Sequence, residues 1–444
     1  MSNQKDQNNS KRNISRRDFV KTSSSLAAGG LLLSSLPVGA GAYAGGSATL
    51  KVALIGCGGR GTGAARQALS TGDGVQLVAM ADAFRDRLDD SLSTLGKVFS
   101  DQPEKLNVPE EHKFVGFDAY KNAIELADVV ILATPPGFRP MHFEAAVDAS
   151  KHVFMEKPLA TDAPGVRKVL EAGKKADQKG LNVVVGLQRH YQNSYREVVD
   201  RIKNDGTVGD IVSGQVYWNS DGVWVRERQP HQNEMEFQMR NWYYFTWLCG
   251  DHIMEQHIHN IDVANWFIGE YPVSAQGMGG REVRTGSNHG EIFDHHFVEF
   301  TYPSGAVVAS QCRHQPNTMN RVAEFFQGTR GTIDISGDRG ILKSWDGETL
   351  YNHDAENDPN PYQQEHDELF AAIRNGEQIN DTENGAKSTL TALMGRMATY
   401  SGDVIGWEEA LNSQKSLMPE KYGWEETPPV VPGPDGTYPV PVPG

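Results

Sequence analysis

The 444-residue sequence has few cysteines: Cys57, Cys249 and Cys312 are all there are. An odd number without C-x-x-C spacing excludes a disulfide framework and a thiolate zinc site, so all three read as small buried residues. Long apolar runs are missing too. The weakly apolar stretch Leu26 to Leu36 is broken by serine and falls short of the about 20 residues that a membrane span needs. Positive charge is scarce: 42 Lys and Arg face 57 Asp and Glu, a formal net charge of −15. Such a surface repels nucleic acid and anionic membranes, and neither is expected as a partner. No internal repeat is present, and the length exceeds one ordinary domain, so two distinct domains are expected.

What the sequence does have begins with a targeting segment. Ser15-Arg16-Arg17-Asp18-Phe19-Val20-Lys21 has the pattern of a twin-arginine export signal. The weakly apolar run follows it, and then small residues around Ala42-Tyr43-Ala44 suited to a peptidase. Residues 1–44 are therefore read as a signal peptide and the protein as exported, to the periplasm. That route carries folded proteins. A nucleotide loaded in the cytoplasm would have to stay bound and be restored within each turnover.

The rest of the chain is organised around Lys51 to Gly61, KVALIGCGGRG. Val52 to Ile55 is a short apolar run, the pattern of a strand buried on both faces. Gly56, Gly58 and Gly61 then have G-x-G-x-x-G spacing: a tight turn, a close approach of backbone to pyrophosphate, and a close helix–strand contact. Gly59 and Arg60 lie in the same loop, which leads to a helix N-terminus suited to phosphate. A second apolar run, Val75 to Ala81, ends in Asp82, about 20 residues past the last glycine, where a carboxylate meets the ribose hydroxyls and favours NAD. Arg85 and Arg87 nearby leave NADP admissible. The alternative is that Asp82 caps the helix starting near Phe84.

Strands and helices alternate to Gly186, with Asp128 to Ala133 a buried strand broken by Thr134-Pro135-Pro136 and His152 to Met155 a strand ending in Glu156-Lys157-Pro158. This predicts a doubly wound parallel sheet over 49–186, the α/β Rossmann type. After it, closely spaced strands predict a mainly antiparallel α+β domain over 187–426: Ile211 to Trp218, Val273 to Met278, His295 to Tyr302, Ala306 to Cys312, Val322 to Gln327 and Gly331 to Ile335. Helices are expected at Glu365 to Asn375 and Ala386 to Ser401. The proline-rich tail, 427–444, is expected to be extended, as an arm on a partner subunit.

GCGGRG with Asp82, ATPP with His142, EKP at Glu156 to Pro158 and the antiparallel second domain together resemble the Gfo/Idh/MocA oxidoreductases from Leu50 to about Leu417. The resemblance implies a Rossmann domain joined to an open-faced sheet domain, NAD or NADP held by Thr134, Pro135, His142 and Glu156 besides the glycine loop, and a sugar or polyol substrate. It implies that Lys157 lies between nicotinamide and substrate, where an ammonium steadies a developing alkoxide. Lys157–Pro158 is a candidate cis peptide.

In Asp251 to Asp262, DHIMEQHIHNID, the family's D-x-x-x-H pair falls on Glu255 and His259, with glutamate in place of aspartate and His257 where glycine is common. His259 is the expected general base, supported by Glu255. A rival reading makes Glu255, His257 and His259 metal ligands along an extended segment. A helix beginning by Gln256 would turn His257 away, and no metal is expected. A third reading leaves the histidines satisfied in a domain interface. Arg189, His190, Arg240, Trp242 and His257 are further candidate substrate contacts, the first four beside aromatic faces suited to sugar rings. Two other functions stay open: redox-neutral glycoside cleavage through transient oxidation at C3, and sugar binding without catalysis. A homo-oligomer is expected.

Overall fold

The computed structural model describes residues 49–441. The proposed signal segment lies outside the described residues. The first unit is a six-stranded parallel sheet: β1 (Leu50–Ile55), β2 (Val75–Asp82), β3 (Lys113–Val115), β4 (Val129–Leu132), β5 (His152–Met155) and β6 (Val183–Val185), in the order β3-β2-β1-β4-β5-β6. Its helices are α1 (Gly59–Leu69), α2 (Arg85–Val98), α3 (Ala119–Glu125), α4 (Arg139–Asp148) and α5 (Ala163–Gln178). Val129 to Leu132 are all fully buried, as a strand covered on both faces requires. The strand order reverses between β1 and β4, which opens a crevice at their carboxyl ends.

A connecting helix, α6 (Asn193–Lys203), leads to β7 (Ile211–Ser220). Short helices follow: α7 (Glu234–Arg240), α8 (Thr246–Cys249), α9 (His252–Glu255) and α10 (Ile258–Ile268). Then come β8 (Ser274–Gly280), β9 (His295–Thr301), β10 (Val307–His314), β11 (Arg321–Gly328), β12 (Gly331–Ser336), β13 (Arg339–Ser344), β14 (Thr349–Asn352), α11 (Pro361–Asn375), α12 (Thr382–Ser401), β15 (Ile405–Gly406) and α13 (Trp407–Asn412). The strands form one nine-stranded sheet, β14-β13-β12-β11-β7-β10-β9-β8-β15, antiparallel except where β10 runs parallel to β7. On β9, His296, Val298 and Phe300 are buried under α12, and Phe297, Glu299 and Thr301 face the other way, as the alternation predicts. Tyr302 to Gly305 is the expected hairpin turn, with Gly305 at φ +86°.

Three differences from the sequence reading have physical reasons. β13, β14 and β15 were not expected, because β14 is largely exposed and β15 is two residues long, so neither has an apolar period. α11 returns to the first unit, where Leu369, Phe370 and Ile373 join the core of β1 and β4. The tail, as far as residue 441, lies on its own chain. Gln238 donates to the Val430 carbonyl (2.7 Å), the Tyr438 hydroxyl donates to Glu234 (2.5 Å), and Tyr438 is buried beside Phe245. The three cysteines are free and buried, as expected.

Candidate active site

At the carboxyl ends of β1, β2 and β4 lies a cavity of about 320 Å³, lined by Gly56, Gly58, Gly59, Arg60, Asp82, Thr134, Pro135 and His142, among others. Two of the glycines are required by the protein itself. A Cβ on Gly61 would lie 1.9 Å from the Gly56 carbonyl oxygen, and one on Gly56, at φ +95°, would lie 2.5 Å from the Ala133 and Thr134 backbone. Gly58 is different: a Cβ there would meet nothing of the protein within 4 Å. Its smallness serves what enters the cavity, and the N-terminus of α1 behind it has no side-chain cap. The Asp82 carboxylate accepts the Cys57 N–H (2.7 Å) and the Phe84 N–H (2.9 Å), bracing the glycine turn against β2. It does not cap α2, whose first residue is Arg85 and whose end has no side-chain cap. Burial raises its pKa, and the two N–H donors partly offset that. An uncapped helix end, open glycine backbone and a carboxylate at the end of β2 fit a dinucleotide, pyrophosphate on the loop and ribose on Asp82.

Beyond this cavity the EKP turn follows β5, and the Lys157–Pro158 bond is cis. The Lys157 ammonium donates to the Glu255 carbonyl and, at 3.1 Å, to its carboxylate. Arg60 pairs with Glu156, tying the glycine helix to the same turn. Arg139, fully buried, donates to the carbonyls of Leu132 (2.7 Å), Thr134 (2.9 Å) and Pro158 (3.2 Å), joining the turns after β4 and β5. His259 sits in the first turn of α10, only 6% exposed, stacked on Trp218 with ring centroids 5.9 Å apart. Burial, then the Lys157 ammonium, then Arg189, hold its pKa well below the ordinary range. The imidazole is therefore neutral near pH 7.

Several expected contacts are placed elsewhere. Glu255 bonds Lys157 and makes no hydrogen bond to His259, because α9 ends at Glu255 and α10 starts afresh at Ile258. The extended alternation of Glu255, His257 and His259 is therefore absent. His257 is wholly buried against the sheet, its Nε2 2.8 Å from Ser310 Oγ. Arg189 is consumed by buried Glu324, which also accepts from Tyr195 (3.0 Å) and Asn260 (2.5 Å). His190 bonds Asp262 (2.7 Å) and stacks on Trp266. Arg240 and Trp242 line the glycine-loop cavity: Arg240 pairs with Asp86 (3.0 Å) and lies 3.9 Å over the Phe84 ring. They wall the nucleotide end, not the carbohydrate end.

Other side chains escaped the sequence reading. Trp224 and Arg226 reach over the cavity from a loop with no pattern to reveal it. Tyr243 lies beside Trp242 but was not singled out, and the Glu255 carboxylate, after burial, raises its pKa. Trp218 was assigned to its strand, but nothing in the spacing pairs it with His259. Arg139, at the start of α4, was not singled out in the sequence.

Family models agree with this architecture. The oxidoreductase family model with the NAD-binding Rossmann fold matches residues 50–187, and the GFO/IDH/MocA C-terminal domain matches residues 195–343. Curated relatives include the inositol 2-dehydrogenase of Burkholderia lata, 28% identical over 54% of this chain and 61% of its own length. Another is the 2,7-anhydro-N-acetylneuraminate hydratase of Escherichia coli K12, 27% identical over 48% of this chain and 52% of its own. The match thus spans little more than half the length of these relatives. Among solved structures, the aldose-aldose oxidoreductase of Caulobacter crescentus, complexed with glycerol, aligns at TM-score 0.63 and 19% identity, covering 81% of this chain and 99% of that one. The apo scyllo-inositol dehydrogenase of Lactobacillus casei aligns at TM-score 0.59 and 18% identity, covering 81% and 99%. At such identity these structures speak for the fold alone. With two successive domain models of one family covering more than half of its length, the chain belongs to the GFO/IDH/MocA oxidoreductases.

Proposed function

We propose that the protein is an exported oxidoreductase that moves a hydride between a tightly held NAD or NADP and a hydroxyl-bearing carbon of a sugar or polyol. The observation that carries this is the meeting of Lys157, from the end of β5, with Glu255 and His259 from the second domain, next to the glycine-loop cavity. A bound nicotinamide supplies the hydride acceptor. Lys157, anchored by the Glu255 carbonyl and carboxylate, presents its positive charge to the substrate oxygen and stabilises it as it loses its proton. His259, neutral and stacked on Trp218, takes that proton. The substrate class is supported by the inositol dehydrogenases among the relatives.

Tight retention is supported by the cap over the cavity. Trp224, Arg226, Arg240 and Trp242 line it from the second domain, while Tyr422 and Trp424 pack on Phe117, which also lines it. Export is supported by the order of basic, apolar and small-residue zones before residue 45. Association into a homo-oligomer is supported by Val212, Met278 and Val307, exposed on the second sheet.

A second reading, redox-neutral glycoside cleavage, is favoured by the hydratase relative in the same family. Incubating the purified protein with free polyols and with glycosides, no nucleotide added, separates the two. Cofactor reduction that stops at one equivalent supports the dehydrogenase. Aglycone released over many turnovers supports the cleaving enzyme, and neither, with sugar binding intact, leaves a binding protein.

A further inference from the structure

We propose that Asp251, His252 and His296 form a binding site for a divalent transition-metal ion, set behind the proposed active site and clamping α9 to β9. Asp251 and His252 are fully buried and His296 is 3% exposed. One ligand atom from each lies within 4.8 Å of the other two, and among the described residues no other trio of such side chains comes so close. The set is distinct from Glu255, His257 and His259, which do not converge.

The hydrogen bonding points to a cation. Thr399 spends its hydroxyl hydrogen on the Arg396 carbonyl (3.1 Å), so it accepts from His296 Nδ1 (2.9 Å). Nδ1 then carries a ring proton of His296, and Nε2 lies 3.3 Å from the Asp251 carboxylate, a pairing that needs a positive charge between the two. Imidazole Nε2 of His252 is buried without a partner. The carboxylate itself is firmly held: Oδ2 accepts the Phe293 N–H (3.0 Å) and the Tyr400 hydroxyl (2.5 Å). This is the outer support that metal-binding carboxylates show. Asp251 also keeps a positive φ of +83°, rare for a non-glycine residue, which turns its side chain back onto His252 and His296.

One carboxylate and two imidazoles are borderline donors that suit zinc, iron, cobalt or manganese better than calcium or magnesium. The structural consequence reaches Lys157. His252 opens α9 and Glu255 closes it, so an ion tying His252 to β9 would fix the backbone carbonyl and carboxylate that hold the lysine.

The test is metal content, which does not depend on the redox reading. Full-length protein from zinc-, iron- and manganese-supplemented medium is dialysed and measured by plasma mass spectrometry. About one transition-metal ion per chain is expected, lost in His296→Ala and in His252→Ala and retained in His295→Ala, whose half-exposed side chain pairs with Asp294 instead. Because the buried substitutions could unfold the protein, wild type stripped with chelator is also titrated with Co2+. Visible d–d absorption and a raised melting temperature support the site. Wild type that carries no metal, and that neither absorbs with Co2+ nor melts higher with Zn2+, overturns it. So does a bound metal indifferent to both substitutions.

Discussion

In the proposed reaction Lys157 and His259 have separate tasks, and substitution separates them further. Lys157→Met removes the charge that steadies the substrate oxygen, and His259→Asn removes the proton acceptor. Each should lower kcat/KM by about 100-fold or more while leaving bound dinucleotide in place. Loss of the cofactor in either variant would mean that the residue belongs to the nucleotide site instead. His142, which lines the cavity and lies 3.1 Å from Thr134 Oγ1, has its pKa pushed down to about 3, first by burial and then by Arg139. The unfolded chain protonates this side chain below about pH 6.5 and the folded one does not. Its contribution to stability is therefore complete above that pH and falls by about 1.4 kcal/mol per unit as the pH drops toward 3. Urea unfolding at pH 7 and pH 5 should show wild type losing about 2 kcal/mol more than His142→Phe over that interval. Equal losses would contradict the buried neutral imidazole. The glycine turn and Asp82 at the end of β2 were legible in the sequence because local spacing places them, whereas Lys157 and His259 were singled out by the family resemblance. Arg189, His190 and His257 were misplaced because their partners, Glu324, Asp262 and Ser310, are distant in sequence.

Among the elements, the parallel strands declared themselves through uninterrupted apolar runs, and the antiparallel ones through alternation. β13 to β15 carried no such signal. The return of α11 to the first sheet has no local signature either, since an amphipathic helix does not reveal which surface it covers. The tail was misread as an arm on a neighbour because proline content shows only that it makes no core. In the structure, Tyr422 and Trp424 pack on Phe117, and Trp424 also lies 5.1 Å from the Phe84 ring, below Arg240. Aromatic contacts of this kind contribute about 0.5–1.5 kcal/mol each. The double substitution Tyr422→Ala, Trp424→Ala should therefore speed cofactor dissociation about tenfold or more, read by fluorescence after dilution. An unchanged rate would show that the segment around Tyr422 and Trp424 is no part of the cap.

At the scale of the whole molecule, the proposed reaction draws on both domains: the nucleotide groove and Lys157 from the first, Glu255 and His259 from the second. The two-domain plan and the family were legible from the glycine loop, EKP and the histidine segment together. The cap was not, because it joins residues around 84, 117, 224, 240 and 424 that only the folded chain brings together. If the protein is exported as proposed, by a route that carries folded proteins, the secreted protein should arrive with dinucleotide bound. The decisive measurement follows the hydride itself. Purified protein is incubated with aldoses and inositols deuterated at their carbinol carbons, no nucleotide added, and the released cofactor is weighed by mass spectrometry. One deuterium on the nicotinamide of wild type, and none with Lys157→Met, is the predicted result; oxidised sugar beside an unlabelled cofactor, or no dinucleotide at all, would contradict it.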